Sequence, residues 1–161
     1  MLSPTPLSIR PARLTDLNAL LALEVACFDS DRLSRRSFRH ALTGAHAACL
    51  VAELDDGIGG YALVFFHRGT SLARLYSLAV MPDFRGQQIG ERLLEAAQVT
   101  AREHGCISLR LEIRRDNLPA LRLYQRMGYQ QIGSYADYYA DHMDAIRMER
   151  TLINAQTTYI S

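Results

Sequence analysis

The chain is poor in the features that mark disulfide scaffolds, metal sites and membrane spans. Its three cysteines, Cys27, Cys49 and Cys106, are odd in number, far apart and without Cys-x-x-Cys spacing, which argues against a paired framework and supplies no zinc ligand set. They read as ordinary buried thiols, and no metal is expected. No apolar run approaches the roughly 20 residues that cross a bilayer, and Met1-Leu2-Ser3-Pro4 lacks a positive segment followed by an apolar core. A cytoplasmic protein with no membrane partner is expected. A formal net charge of +1 gives no global attraction for nucleic acid, so none is expected as a partner. Repeats and low-complexity tracts are missing, as are a Gly-Lys-Ser/Thr phosphate loop and an early Gly-x-Gly-x-x-Gly fingerprint, which argues against P-loop and dinucleotide chemistry.

What is present suits one globular domain: 161 residues, with 48% hydrophobic and 22% charged content. The domain is expected over residues 1–152, followed by a polar tail from Ile153 to Ser161. Leu7 to Arg10 reads as a short strand. Thr15-Asp16 should cap a helix whose apolar positions Leu17, Leu20, Leu21, Leu23 and Val25 run to about Cys27, and Ser34 should cap a second. Ala48 to Leu54 reads as a strand, Asp55-Asp56-Gly57 as a hairpin turn, and Gly60 to His67 as the partner strand. Leu72 to Val80 is a third antiparallel strand, which Met81-Pro82 stops because proline cannot donate to a sheet ladder. Tyr129 to Tyr139 and Ala145 to Leu152 read as the last two strands. The expected class is α/β: a mixed, mostly antiparallel sheet of about seven strands flanked by about four helices.

The segment after Leu72–Val80 carries the chemistry. Arg85-Gly86-Gln87-Gln88-Ile89-Gly90 runs directly into Glu91, and apolar residues at 89, 93, 94, 97 and 101 form a helical stripe. The first amides of such a helix lack intrahelical partners and carry a partial positive charge. With Arg85 adjacent and two glycines allowing close backbone approach, they suit a pyrophosphate. Next comes Ser108-Leu109-Arg110-Leu111-Glu112-Ile113-Arg114, a strictly alternating strand with its charged residues on one face. Asn117-Leu118-Pro119 then opens a short helix with a capping residue and proline in the first turn.

Arg-x-x-Gly-x-Gly/Ala between strand and helix resembles the acetyl-CoA signature of the GNAT N-acetyltransferase superfamily. Arg85 and Gly90 match, while Gln88 stands where the family usually has its first glycine. The pattern Leu111-Glu112-x-Arg114, Asn117, Leu123-Tyr124 and Gly128-Tyr129 is similar, more narrowly, to the ribosomal-protein and peptide N-terminal acetyltransferases. So are Tyr138-Tyr139 and Asp144-Ala145-x-x-Met148. The resemblance covers roughly residues 72–150 and implies the GNAT fold and transfer of acetyl from acetyl-CoA to a primary amine. The expected acceptor is the N-terminal α-amine of a protein or peptide, with a small-molecule amine or a non-catalytic acyl-CoA-binding domain as alternatives.

Residue roles follow from the same resemblance. It implies that Glu112 is the base, directly or through a water, and Tyr124 the acid near the cofactor sulfur. The backbone of Leu78, Ala79 and Val80, the loop Arg85, Gly86, Gln87, Gln88, Ile89, Gly90 and Glu91, and the side chains of Asn117 and Tyr124 would bind acetyl-CoA. Phe28, Tyr138 and Tyr139 would line the acceptor slot. Without the resemblance, Glu112 reads more readily as part of a solvated ladder with arginines and Tyr124 as a packed ring. An α-amine with pKa ~8 needs less help from a base than a lysine at ~10.4. The loop Phe28-Asp29-Ser30-Asp31-Arg32-Leu33 is longer than in the ribosomal-protein enzymes and lacks their Pro-Trp, which implies a different acceptor. Asp29 and Asp31 could attract an ammonium or simply be solvated.

Overall fold

The computed structural model describes residues 7–67 and 69–152; the expected tail from Ile153 to Ser161 lies outside them. Seven strands and four α-helices follow in the order β1 (Ser8–Pro11), α1 (Leu17–Cys27), α2 (Arg35–Thr43), β2 (Ala47–Leu54), β3 (Gly57–Phe66), β4 (Leu72–Val80), α3 (Ile89–Glu103), β5 (Ser108–Arg114), α4 (Leu118–Arg126), β6 (Gln130–Tyr135) and β7 (Ala145–Thr151). Short 3-10 turns at Leu14–Asp16 and Pro82–Phe84 precede α1 and the loop to α3. One sheet contains all seven strands in the order β1-β2-β3-β4-β5-β7-β6. All neighbours are antiparallel except β4 with β5. The α/β class and element order expected from the sequence are those observed.

Each face of the sheet has its own core. The apolar stripe of α3, Ile89, Leu93, Leu94, Ala97 and Ala101, is buried against Ala62, Val64, Leu75, Leu109 and Leu111, and Tyr124 of α4 joins the same cluster. On the other face Leu20 and Leu23 of α1 and Phe38 of α2 pack on Val51, Tyr61, Leu63 and Ala79. Alternation along the strands sends successive residues to opposite cores. On β5, Leu109, Leu111 and Ile113 are buried with α3, so Glu112 and its charged neighbours face the α1–α2 side.

Three expectations need correction. The strand predicted from Tyr129 to Tyr139 ends at Tyr135. Beyond it the chain turns through Asp137 at φ 53, the Asp137 amide donates to Asp144 Oδ1 at 3.0 Å, and the Tyr138 amide donates to the Met143 carbonyl at 3.1 Å. The tyrosine pair therefore stands on a folded loop. Asp16 does not cap α1 with its side chain. Its carboxylate instead accepts from both terminal nitrogens of Arg10, at 2.9 and 3.1 Å, and from the Arg13 amide at 2.7 Å. A paired guanidinium outcompetes a single amide, because charge-assisted bonds are about twice as strong. Cys27 is only partly buried, and it faces the cleft described next.

Candidate active site

The site originates in an irregularity of β4. Against β3, Ser77 pairs with Leu63 and Leu75 with Val64, which leaves Tyr76 without a partner, a β-bulge. Against β5, pairing stops at Arg74 opposite Arg110. From there β4 stays with β3 as far as Val80, while β5 stays with β7 as far as Arg114. The two central strands part and open a cleft of about 640 Å³. Beyond Arg74, the alternate β4 amides that point away from β3 have no β5 ladder to donate to, so they are free for a ligand.

Among the expected site residues, Leu78, Glu112, Asn117, Tyr124, Phe28, Tyr138 and Tyr139 all line this cleft. Their residues reach it from both faces of the sheet: Tyr124 belongs to the α3–α4 core, and Glu112 lies on the α1–α2 side. Ala79, Val80 and the loop from Arg85 to Glu91 are not in its lining; they continue β4 from its edge into α3. Ala79 is buried in the α1–α2 core. Val80 offers its carbonyl to Cys27 Sγ at 3.3 Å and to Arg85 Nε at 3.2 Å, which draws the loop toward the strand end.

The loop fits a pyrophosphate on the structure's own terms. The first bond of α3 runs from the Arg92 amide to the Gln88 carbonyl at 3.1 Å, so the amides of Ile89, Gly90 and Glu91 precede the helical ladder. Gly86 has φ 84, and an added Cβ there would meet nothing within 4 Å, so open space borders the backbone. Gln87 and Gln88 are exposed. Gln88 adopts φ 62, a left-handed conformation that glycine enters more easily. Glu91 in the first turn would oppose a phosphate, but Arg126 holds its carboxylate at 2.5 Å. Asn117 Oδ1 accepts from the Ala120 amide at 3.2 Å, confirming it as the cap of α4.

Glu112 is neither a solvated ladder residue nor a free carboxylate. Its side chain is 5% exposed, with Arg74 Nε at 3.2 Å from one oxygen and Arg147 Nη2 at 3.0 Å from the other. Arg74 also donates to the Tyr138 hydroxyl at 2.9 Å, and Arg147 stacks 4.6 Å from the centre of the Tyr135 ring. A hydrogen-bonded path thus joins the tyrosine loop to the strand carboxylate. Each carboxylate oxygen retains a second lone pair. Burial, with Tyr129 and Tyr139 adjacent, pushes the Tyr124 phenol well above its ordinary pKa of 10. Burial likewise lifts Tyr139 to about 12, with Tyr138 and Glu112 adding to the rise.

Sequence reasoning missed Arg74, Arg147 and a buried group on the α1 side. Glu24 is 3% exposed and accepts from the Tyr61 hydroxyl and from the Leu33 amide, the latter at 2.8 Å. Burial and the neighbouring Glu24 raise the Tyr61 phenol far above its usual value. The available signal was polarity out of place: Arg74 inside Leu72–Val80, Arg147 inside Ala145–Thr151, and Glu24 in an otherwise apolar helical face. Asp29 and Asp31, which from sequence read more readily as solvated charges than as an ammonium site, line the cleft.

A mixed sheet whose central strands part beside a glycine-punctuated helix start, with a buried carboxylate and a buried phenol in the gap, defines an acyl-CoA-dependent acyltransferase. The chain belongs to the acetyltransferase (GNAT) family, whose profile matches residues 17–129. It is an acetyl-CoA-dependent N-acetyltransferase. It is 31% identical over 149 residues, 92% of this chain and 97% of the other, to a Bacillus subtilis (strain 168) protein provisionally named a ribosomal protein bS18-alanine N-acetyltransferase. An N-alpha-acetyltransferase of Sulfurisphaera tokodaii is 30% identical over 155 residues, covering 89% and 92% of the two chains. The crystal structure of the Escherichia coli ribosomal-protein-S18-alanine N-acetyltransferase superposes with a TM-score of 0.83 at 25% identity, covering 93% of this chain and 96% of that one.

Proposed function

We propose that this chain acetylates the N-terminal α-amine of a protein or peptide. Parting of β4 from β5 next to Glu112 and Tyr124 is the observation that carries this reading, and the names of the full-length relatives support the acceptor class. Bound acetyl-CoA supplies an activated acetyl thioester. The loop from Arg85 to Glu91 holds its pyrophosphate with backbone amides and a guanidinium. Within Leu78-Ala79-Val80 the amides alternate in direction: Ala79 pairs with Tyr61 in the β3 ladder, so the amides of Leu78 and Val80 bind the acyl arm and polarise the carbonyl, an effect worth about 2.7–4 kcal/mol per donor in such sites. Asn117 contributes from the cap of α4.

Phe28, Tyr138 and Tyr139 orient the acceptor on the α1–α2 side. Both Glu112 oxygens are already bonded to arginine, so Glu112 takes the amine's proton through a water that uses a remaining lone pair. As the new C–N bond forms and the C–S bond breaks, Tyr124 gives its phenolic proton to the departing sulfur. The phenol carries that proton across physiological pH, and because burial makes it a weaker acid, the transfer depends on its placement beside the sulfur. The test is mass spectrometry of reactions containing acetyl-CoA with N-terminal peptides, lysine side-chain peptides or polyamines. Acetylation at the α-amine is the expected result; acetylation of polyamines alone, or of nothing, would overturn the acceptor assignment.

A further inference from the structure

Glu24 is the only carboxylate of α1 and is almost completely buried, 3% exposed, on the acceptor side of the cleft. No lysine, arginine or histidine forms an ion pair with it among the described residues. A buried carboxylate without a counter-ion is unfavourable unless its oxygens are hydrogen-bonded, so the partners it keeps reveal its job. One oxygen accepts from the Tyr61 hydroxyl of β3, whose oxygen lies 2.8 Å from Ser77 Oγ of β4. The other accepts from the Leu33 amide at 2.8 Å. The backbone carbonyl of the same residue accepts from the Phe28 amide at 3.0 Å.

Both ends of the six-residue loop 28–33 therefore return to Glu24, one to its main chain and one to its side chain. That loop carries Phe28, Asp29, Ser30 and Asp31, which line the cleft together with Glu112. Through Tyr61 and Ser77 the loop is tied to β4 beside its bulge. Building on the acceptor reading above, we propose that Glu24 is a positioning residue: it braces the Phe28–Leu33 loop as the acceptor wall and so sets affinity for the acceptor, not for acetyl-CoA.

A Glu24→Gln/Glu24→Ala pair separates the brace from the charge. Glutamine can accept from Leu33 with its oxygen and donate to Tyr61 with its nitrogen, while the Tyr61 proton turns to Ser77, so the brace persists without charge. Alanine removes it. The measurements are steady-state kinetics with an N-terminal peptide and hydrogen exchange at the Leu33 amide, read by NMR. Glu24→Ala is expected to raise the acceptor KM about tenfold, the effect of losing one hydrogen bond to a charged group, and to speed Leu33 exchange similarly. The acetyl-CoA KM should stay within about twofold, and Glu24→Gln should behave like the wild type.

Equal damage in Glu24→Gln and Glu24→Ala would overturn the brace in favour of a charge role, and equal rises in both KM values would reduce it to general stability. Should Glu24→Ala not fold, Tyr61→Phe removes one of the two donors and should give a smaller rise confined to the acceptor KM. A Leu33 amide that exchanges freely in the wild type overturns the proposal without any variant. Failure of the wild type to acetylate peptides would overturn the acceptor assignment alone, because the Leu33 exchange still decides the brace.

Discussion

The Tyr124 hydroxyl makes no hydrogen bond among the described residues, although the residue is 6% exposed and its ring meets Tyr129 edge-on at 5.5 Å. Packing therefore uses the ring and leaves the hydroxyl to the cleft. Tyr124→Phe should keep the thermal midpoint while lowering kcat by at least ~100-fold, the lower bound for loss of a positioned acid, with thiol release as the assay. An unchanged rate would leave Tyr124 a packing residue. Gln88 illustrates the opposite balance. Its left-handed backbone costs about 1 kcal/mol for a side chain with a Cβ, which glycine avoids. Gln88→Gly should raise the midpoint by roughly 2–4 °C in calorimetry and leave acetyl-CoA affinity equal or tighter. At this scale the sequence was legible where a motif named the residue, as at Glu112. Arg74, Arg147 and Glu24 are defined by contacts across 38, 35 and 37 positions of chain, which no local pattern records.

Elements were legible wherever one local signal decided them. The α3 stripe, the β5 alternation, and the Ser34 cap, which accepts from the Ser37 amide at 3.1 Å, all appear as read. Signals failed where a side chain had two suitors, as when Asp16 bonded Arg10, or where a turn broke an aromatic run, as at Asp137. Parting of β4 from β5 left no sequence trace, because both strands keep ordinary patterns and only their pairing ends. The α4 cap offers a clean separation of roles. Asn117→Asp retains the acceptor for Ala120 and should leave urea stability within about 0.5 kcal/mol, since both residues cap well. It adds a negative charge to the cleft wall proposed to hold the acyl carrier, and titration calorimetry should show weaker acetyl-CoA binding. Asp16, whose carboxyl Arg10 holds below the usual range, predicts an acid signature. Its stabilisation is complete above the unfolded pKa of about 3.9 and is lost as pH falls through the lower folded value. The stability gap between wild type and Asp16→Asn in urea should therefore shrink only below about pH 4; a gap independent of pH would sink this account.

For the whole molecule, a net charge of +1 conceals an uneven distribution. Six carboxylates line the cleft, those of Glu24, Asp29, Asp31, Glu112, Asp116 and Asp141, against the two guanidiniums of Arg74 and Arg114. Arg74 and, from outside the lining, Arg147 both pair with Glu112, and Arg114 pairs with Asp116 at 3.2 Å and Asp141 at 2.6 Å, which leaves Glu24, Asp29 and Asp31 without a paired cation among the described residues. An incoming chain therefore meets a negative field. Over the ~8 Å Debye length of physiological salt, that field reaches the first few residues beyond the reacting amine. The charge pattern favours acceptors with basic residues near the N-terminus, for which attraction accelerates encounter and like-charge repulsion penalises acidic competitors. Peptides that share their first residue and differ at positions two and three, lysine in one and glutamate in the other, should differ in kcat/KM by about tenfold or more, equivalent to ~1.4 kcal/mol. Raising ionic strength should narrow the gap, because most of the carboxylates are at the solvent-exposed mouth. Equal kcat/KM at low salt would show that the acidic lining serves the loops that carry it and not acceptor choice.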